Sequence, residues 1–247
     1  MNTAAIGAAL LGGAALGGLV VRPLVIAYAR PKDEPAAVTC QGCGGVVLAP
    51  GVRSVARLAT ARCAACSTRI GPRPGVAEAV TGAAVGAVVA AGSGGWLLAA
   101  QLWVTVLGAA LALIDLTVRR LPDHLTAAAA AGVALLLAGA TLTGQPVSTA
   151  VRAVLAAAVL AVVFFPVLLF GGIAWGDYKV LPALGALLGW GSWFAVATGL
   201  LAGFCLGALQ GVAMLAAGRA SWGSHTRLAL GPALIVGAVA ASVALSY

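Results

Sequence analysis

AVRAVLAAAVLAVVFFPVLLFG, residues 150–171, carries a single charged side chain, Arg152, in a stretch built mainly from Ala, Val, Leu and Phe. A helix crosses the bilayer with about 20 consecutive apolar residues, so this stretch predicts a transmembrane helix. Similar apolar runs recur along the whole chain of 247 residues. Hydrophobic residues make up 62% of the chain, charged residues make up 8%, and the mean hydropathy is +1.08. Because soluble domains are about a quarter charged, the sequence predicts an all-α, multi-pass membrane protein.

The apolar runs predict about eight transmembrane helices in a three-part organisation. A first helix lies in residues 1–29, a loop follows in residues 30–75, and a seven-helix membrane core occupies residues 76–247. The first helix lacks the basic segment that opens a signal peptide, so we interpret it as a retained span. The eight helices are expected at residues 4–28, 76–92, 96–116, 124–142, 150–171, 178–190, 191–217 and 227–246.

The basic residues indicate the orientation of the protein in the membrane. Cytoplasmic loops collect Lys and Arg, and an outside N-terminus with eight crossings leaves only Arg152 outside. The net charge of +8 is then explained by topology and by contact with anionic lipid, without a nucleic acid partner. The same topology places Asp115 and Asp177 on the cytoplasmic side. The basic residues expected inside are Arg22, Arg30, Lys32, Arg53, Arg57, Arg62, Arg69, Arg73, Arg119, Arg120, Lys179, Arg219 and Arg227.

The loop over residues 30–75 contains two CxxC pairs and is too short to bury a core of its own. Two tight turns that each present two thiolates match the spacing of a four-cysteine zinc site. Two disulfides are the alternative, which a reducing cytosol disfavours. Four protein ligands leave no open position on the metal, so a structural role is expected. The proposed ligands are Cys40, Cys43, Cys63 and Cys66, whereas Cys205 is interpreted as a small packing residue of the seventh helix.

Two aspartates at the edges of apolar runs are the first candidates for catalysis. The chain has only six acidic residues, and a charged group beside a membrane helix is costly unless it is paired, solvated or used in chemistry. Asp115 ends the third predicted helix and Asp177 lies just before the sixth. The alternatives are an ion pair between Asp115 and Arg119 and a helix N-cap at Asp177.

Three other polar positions favour structural interpretations. Asp123 follows Pro122 and precedes a helix, which favours a capping role. Glu78 lies near the start of the second helix, where an acid suits the helix dipole and can face a basic partner. His124 and His225 lie at membrane edges, where surface placement is expected.

The order of these features resembles the type IV prepilin peptidases, which are membrane aspartyl proteases of the GxGD type. The resemblance rests on Asp115 followed by LPDHLT at residues 121–126, on the segment WGDYK at residues 175–179, and on LGPAL at residues 230–234. Ile70, Arg73 and Glu78 keep the spacing of the family after the second cysteine pair.

The resemblance implies an endopeptidase that removes the cytoplasmic leader from prepilins or pilin-like proteins at the inner membrane. Asp115 and Asp177 would be its catalytic pair, with Gly176, Lys179 and Asp123 as substrate-contacting or supporting residues. It also implies methylation of the new N-terminus from S-adenosylmethionine, in a region that includes Arg73 and Glu78. Ala174 replaces the first Gly of GxGD, and the Pro after the first Cys of each pair is absent; the loop changes put the methylation in question.

Two other classes of protein are consistent with parts of this pattern. A proton-coupled transporter also carries acidic residues in its membrane region, but it predicts inverted repeats, which we do not detect, and acids near the bilayer midplane. A non-enzymatic zinc-ribbon membrane scaffold would tolerate loss of either aspartate.

Overall fold

A computed structural model of the protein describes residues 3–29, 39–40, 42–47, 61–63, 65–91, 94–218 and 230–245. These residues form eight helices at the predicted positions and no strands, apart from two isolated bridges in the cysteine loop. The predictions made for Arg30, Lys32, Arg53, Arg57, Arg219, Arg227 and His225 fall outside the described residues. The helices are α1 (Thr3–Tyr28), α2 (Val76–Ala90), α3 (Gly95–Val118), α4 (Asp123–Leu142), α5 (Val147–Leu169), α6 (Trp175–Gly191), α7 (Trp193–Ala216) and α8 (Leu230–Ala244).

Five of the described helices, α1, α3, α4, α5 and α7, are long and apolar enough to cross a membrane. The predictions of an all-α fold and of a multi-pass membrane protein are therefore confirmed. Within the described residues, helices α2 and α8 have 15 residues each and α6 has 17. At about 1.5 Å of rise per residue they are shorter than the roughly 30 Å apolar layer of a bilayer.

The chain divides into two compact units: Met1–Gly92 with Thr105–Arg120, and Ser93–Val104 with Leu121–Tyr247. In the first unit, α1 packs against α2 through glycines. A Cβ atom on Gly13 would lie 2.7 Å from Val85 Cβ, and one on Gly17 would lie 2.5 Å from the Ala77 carbonyl oxygen. Gly17 also opens a π-helical turn, Gly17–Val21, that interrupts α1 just before Arg22. Small residues thus let these helices approach to backbone contact, as is common in membranes.

The second unit contains two closely packed helix pairs, α5 with α6 and α7 with α8. A Cβ atom on Gly237 of α8 would lie 2.4 Å from the backbone nitrogen of Gly203 in α7. The turn between α6 and α7 falls at Ser192, whose hydroxyl oxygen accepts a hydrogen bond from the Ala195 N–H at 3.0 Å. The predicted boundary between the sixth and seventh helices, at residues 190 and 191, is therefore confirmed within two residues. The three-part division at residues 29 and 75 stays a prediction.

Candidate functional site

The four cysteines of the loop converge in the first unit. Their sulfur atoms all lie within 4.8 Å of one another, with 3.6 Å between Cys40 and Cys66 and 3.7 Å between Cys43 and Cys63. A tetrahedral site with zinc–sulfur bonds of about 2.3 Å has sulfur–sulfur edges of about 3.8 Å. All four thiols are free, and these separations are far longer than a disulfide bond. The cluster could therefore bind a metal ion.

Two similar turns position these cysteines. The Gly44 N–H donates to the Cys40 carbonyl, and the Ser67 N–H donates to the Cys63 carbonyl, each at 2.9 Å. Both donor residues have left-handed backbones, with φ of 70° and 57°. Glycine adopts this conformation readily, so Gly44 suits the tight turn that was expected at the first cysteine pair. Ser67 occupies the equivalent position in the second turn, and the sequence offered no glycine there to mark it.

The local chemistry of the second turn favours a thiolate. Cys66 Sγ lies 3.2 Å from Thr68 Oγ1. Hydrogen bonding from the Thr68 side chain and backbone lowers the pKa of the Cys66 thiol to about 6. Thiolate is the form of cysteine that binds metals. Cys205 differs from these cysteines because its side chain is exposed on α7. The interpretation of Cys205 as a small packing residue of the seventh helix is therefore wrong.

Asp115 lies in the last turn of α3 and belongs to the first unit. Its side chain is buried, and within the described residues its Oδ2 atom has no hydrogen-bond partner. The Arg119 N–H donates to the Asp115 carbonyl at 2.7 Å, and Arg119 then turns the chain with φ of 51°. Among the described residues, the side chains of Asp115 and Arg119 form no ion pair. The proposed pairing of Asp115 with Arg119 is therefore not observed.

Asp177 is the third residue of α6, in the second unit, and is also buried. The N-cap of α6 is Ala174, because the helix begins earlier than the sequence indicated. The interpretation of Asp177 as an N-cap is therefore wrong. Gly176, its neighbour, packs closely: a Cβ atom there would lie 3.0 Å from Leu121 Cβ. The missing side chain of Gly176 thus makes room for Leu121, and the role of Gly176 beside the substrate stays a prediction.

Asp123 and Lys179 form an ion pair within the second unit. Lys179 Nζ lies 2.7 Å from Asp123 Oδ1 and 5.1 Å from the centre of the Trp175 ring. The N-cap position of α4 belongs to Pro122, and Asp123 is the first helical residue. The predicted capping role of Asp123 is therefore wrong. Its carboxylate instead pairs with Lys179, which lies two residues after Asp177. The ion pair thus links the start of α4 to the start of α6.

Glu78 has the basic partner that the sequence suggested, and that partner is Arg22. The Arg22 guanidinium donates to both Glu78 carboxylate oxygens, from Nε at 2.9 Å and from Nη2 at 2.6 Å. It also donates to the carbonyls of Pro72 and Arg73, at 3.3 and 3.4 Å. Arg22 is only 1% exposed. The sequence treated Arg22 as one of the charges around the cytoplasmic loop, whereas the structure buries it between α1 and α2.

Removing one partner of the Arg22–Glu78 pair is expected to destabilise the first unit strongly. A buried charge left without its partner costs about 3 kcal/mol or more, so Glu78→Leu, which leaves the 1% exposed Arg22 unpaired, should markedly lower the unfolding temperature in detergent. Arg22→Met leaves the 26% exposed Glu78 unpaired and should lower it less. The double variant Arg22→Met/Glu78→Leu should recover part of the loss because no charge remains buried. If the losses of the two single variants simply add in the double variant, the two side chains do not act as a pair.

The geometry thus provides a four-thiol cluster and two buried carboxylates near helix ends, one carboxylate in each unit. Residues 102–212 match the family model described as "Type IV leader peptidase family". This range contains both buried aspartates, Gly176, Lys179 and Asp123, and it lies outside the cysteine loop.

The chain is also similar to two curated proteins named prepilin leader peptidase/N-methyltransferase. The protein of Aeromonas hydrophila is 34% identical over 156 residues, which is 62% of this chain and 53% of the relative. The protein of Burkholderia pseudomallei (strain 1026b) is 36% identical over 139 residues, which is 52% of this chain and 42% of the relative. The chain therefore spans about half the length of the curated relatives it matches. No solved structure matches the chain significantly.

Proposed function

Because residues 102–212 match the model of the type IV leader peptidase family, we propose that this protein is a membrane aspartyl endopeptidase that removes leaders from type IV prepilins or pilin-like proteins. One observation carries the proposal: Asp115 and Asp177, at 5% and 4% exposed, are both buried in the matched segment. Buried carboxylates in a membrane protein are costly and therefore mark functional sites.

The proposed chemistry divides proton transfer between the two aspartates. One carboxylate takes a proton from water, and the resulting hydroxide equivalent attacks the scissile carbonyl carbon. The other aspartate, protonated at the start, gives its proton to the carbonyl oxygen, and proton transfer to the amide nitrogen then releases the leader. Two carboxyl groups close together share one proton, so identical side chains supply both an acid and a base. The mechanism requires Asp115 and Asp177 to reach a single water molecule.

The proposed location is the inner membrane, with the N-terminus outside and the active site on the cytoplasmic side. This orientation rests on the distribution of Lys and Arg. A prepilin anchored by one apolar helix leaves the bilayer at this level, so its leader would reach the aspartates while the mature subunit stays in the membrane.

The proposed metal is zinc, held by Cys40, Cys43, Cys63 and Cys66. The sulfur separations of 3.6 and 3.7 Å support this assignment, since they match the edges of a zinc–thiolate tetrahedron. The four thiolates complete the coordination of the ion, so the site would stabilise the loop rather than take part in hydrolysis.

A second proposed activity is methylation of the new N-terminus from S-adenosylmethionine. It is favoured by the names of the relatives, which include N-methyltransferase. The family resemblance associates this methylation with a region that contains Arg73 and Glu78. Both oxygens of Glu78 accept hydrogen bonds from Arg22, which supports a structural role for Glu78 in that region rather than proton transfer.

Mass spectrometry of a co-expressed type IV prepilin tests both activities. Wild-type protein should yield a pilin whose mass is reduced by the whole leader, and methylation should add one methyl group to the new N-terminal residue. An intact prepilin, in the presence of folded protein in the membrane, would contradict the peptidase assignment. A leaderless but unmethylated pilin would contradict the second activity alone.

A further inference from the structure

Arg152 in α5 binds the end of α6 through its guanidinium. Nε donates to the Gly189 carbonyl at 2.7 Å, and Nη2 donates to the carbonyls of Trp190 and Gly191 at 2.7 and 2.8 Å. Carbonyls in the last turn of a helix lack helical N–H partners, and a positive charge there also suits the helix dipole. The planar guanidinium presents several N–H donors in a fixed arrangement and so can bond several such oxygens at once.

Helices α5 and α6 touch through small residues between the two ends of α6. A Cβ atom on Gly185 would lie 3.0 Å from the Ala156 carbonyl oxygen, and one on Gly189 would lie 2.5 Å from Ala156 Cβ. Such contacts hold two membrane helices close. These contacts allow close approach, and polar bonds at the two ends of α6 add directional restraints on its axial register against α5.

The first turn of α6 has its own bond to α5. The Tyr178 hydroxyl donates to the Ala161 carbonyl at 3.1 Å, and the Tyr178 ring packs against Phe165 with 6.2 Å between ring centroids. Asp177 immediately precedes this tyrosine. Pro182 lies inside α6 between its two ends; it removes one backbone hydrogen bond and permits bending there. A bend at Pro182 does not change the length of α6, so an attachment at either end still limits sliding of the whole helix along α5.

We propose that Arg152 is a positioning residue that sets the axial register of α6 against α5 and thereby the placement of Asp177. Twelve residues separate Asp177 from Gly189, a distance of about 18 Å along the helix. The catalytic consequence rests on the proposed function, whereas the effect on register does not.

The first test measures the placement of residue 177 without any reaction. In an Asp177→Cys background, alkylation by N-ethylmaleimide in detergent is followed by peptide mass spectrometry, with the exposed Cys205 as an internal reference. Adding Arg152→Met or Arg152→Gln should raise the alkylation rate at residue 177 by about fivefold, because local opening becomes easier. Adding Val151→Met, at a position 51% exposed on the same helix, should leave the rate unchanged.

The second test uses the native aspartate. Arg152→Met should lower kcat for leader cleavage by about tenfold or more with little change in KM, since small misplacements of reacting groups are costly. Arg152→Lys keeps the positive charge but loses the planar arrangement of N–H donors. Its kcat should therefore lie between those of the wild type and Arg152→Met.

Three results would overturn the proposal: unchanged alkylation at residue 177 in both Arg152 variants, an equal rise at the buried Cys40 and Cys63, which indicates general unfolding, or wild-type kcat in Arg152→Met. Failure of the proposed function is recognised separately, as leader cleavage that survives Asp177→Asn. The alkylation result does not depend on that outcome.

Discussion

Leader cleavage is expected to fall by about 1,000-fold or more when either Asp115 or Asp177 is replaced by Asn, because proton transfer by a positioned acid or base contributes on this scale. Asparagine keeps the size of the side chain but can neither accept nor release the proton. The two aspartates are proposed to act as a unit, so the double variant should be no slower than the slower single variant.

The measurement is the rate at which the protein, reconstituted in lipid, removes the leader from a purified prepilin. The rate is measured at saturating and at low prepilin concentrations. Each variant should keep the zinc content and unfolding temperature of the wild type. Asp33→Asn is a matched control, since it makes the same chemical change in the cysteine loop, outside the described residues, and should retain full activity.

The same variants separate the peptidase from its two rivals. A proton-coupled transporter would lose proton-driven uptake in the Asn variants, and a zinc-ribbon scaffold would tolerate both changes. Cleavage that persists at the wild-type rate in Asp115→Asn and in Asp177→Asn would contradict the peptidase mechanism.

The second large effect is expected in the cysteine loop. The purified wild-type protein should contain about one zinc ion per chain, and Cys40→Ser or Cys63→Ser should remove nearly all of it, because each change removes one of four thiolate ligands. Structural zinc stabilises small sites by roughly 10 kcal/mol or more in apparent binding free energy. Loss of the ion should therefore unfold the loop and expose it to proteases.

The measurements are metal content by elemental analysis and limited proteolysis with and without a strong chelator. Cys205→Ser is the matched control, since the same change at an exposed cysteine outside the cluster should leave metal and protease resistance unaltered. Full zinc content in Cys40→Ser would exclude the four-thiolate site. A measured mass of the wild-type protein that corresponds to two disulfides would exclude it as well.

The features predicted best are those encoded over short stretches of chain. Helix formation follows from continuous apolar runs, since in lipid each backbone group must be satisfied within its own segment. The two cysteine turns are equally local, because each closes with a hydrogen bond between residues four positions apart, Cys40 with Gly44 and Cys63 with Ser67. The position of Asp115 and Asp177 near helix ends was also expected from the apolar runs beside them.

The features missed depend on small shifts or on distant partners. Helices α4 and α6 start slightly earlier than predicted, and these shifts remove Asp123 and Asp177 from the capping positions. Cys205 lies on an exposed face of α7 that composition alone does not distinguish from a buried one, because lipid-facing and core-facing residues are equally apolar.

The sequence by itself determined that this is a helical membrane protein with a thiol-rich loop and two isolated aspartates, because hydropathy and CxxC spacing act over neighbouring residues. Only the tertiary structure decided which charges meet. The partners in Arg22–Glu78 and Lys179–Asp123 are each 56 residues apart, and Arg152 binds carbonyls 37 to 39 residues away. The physical reason is that a charged group in an apolar environment needs a partner, and helix packing determines which one lies within reach.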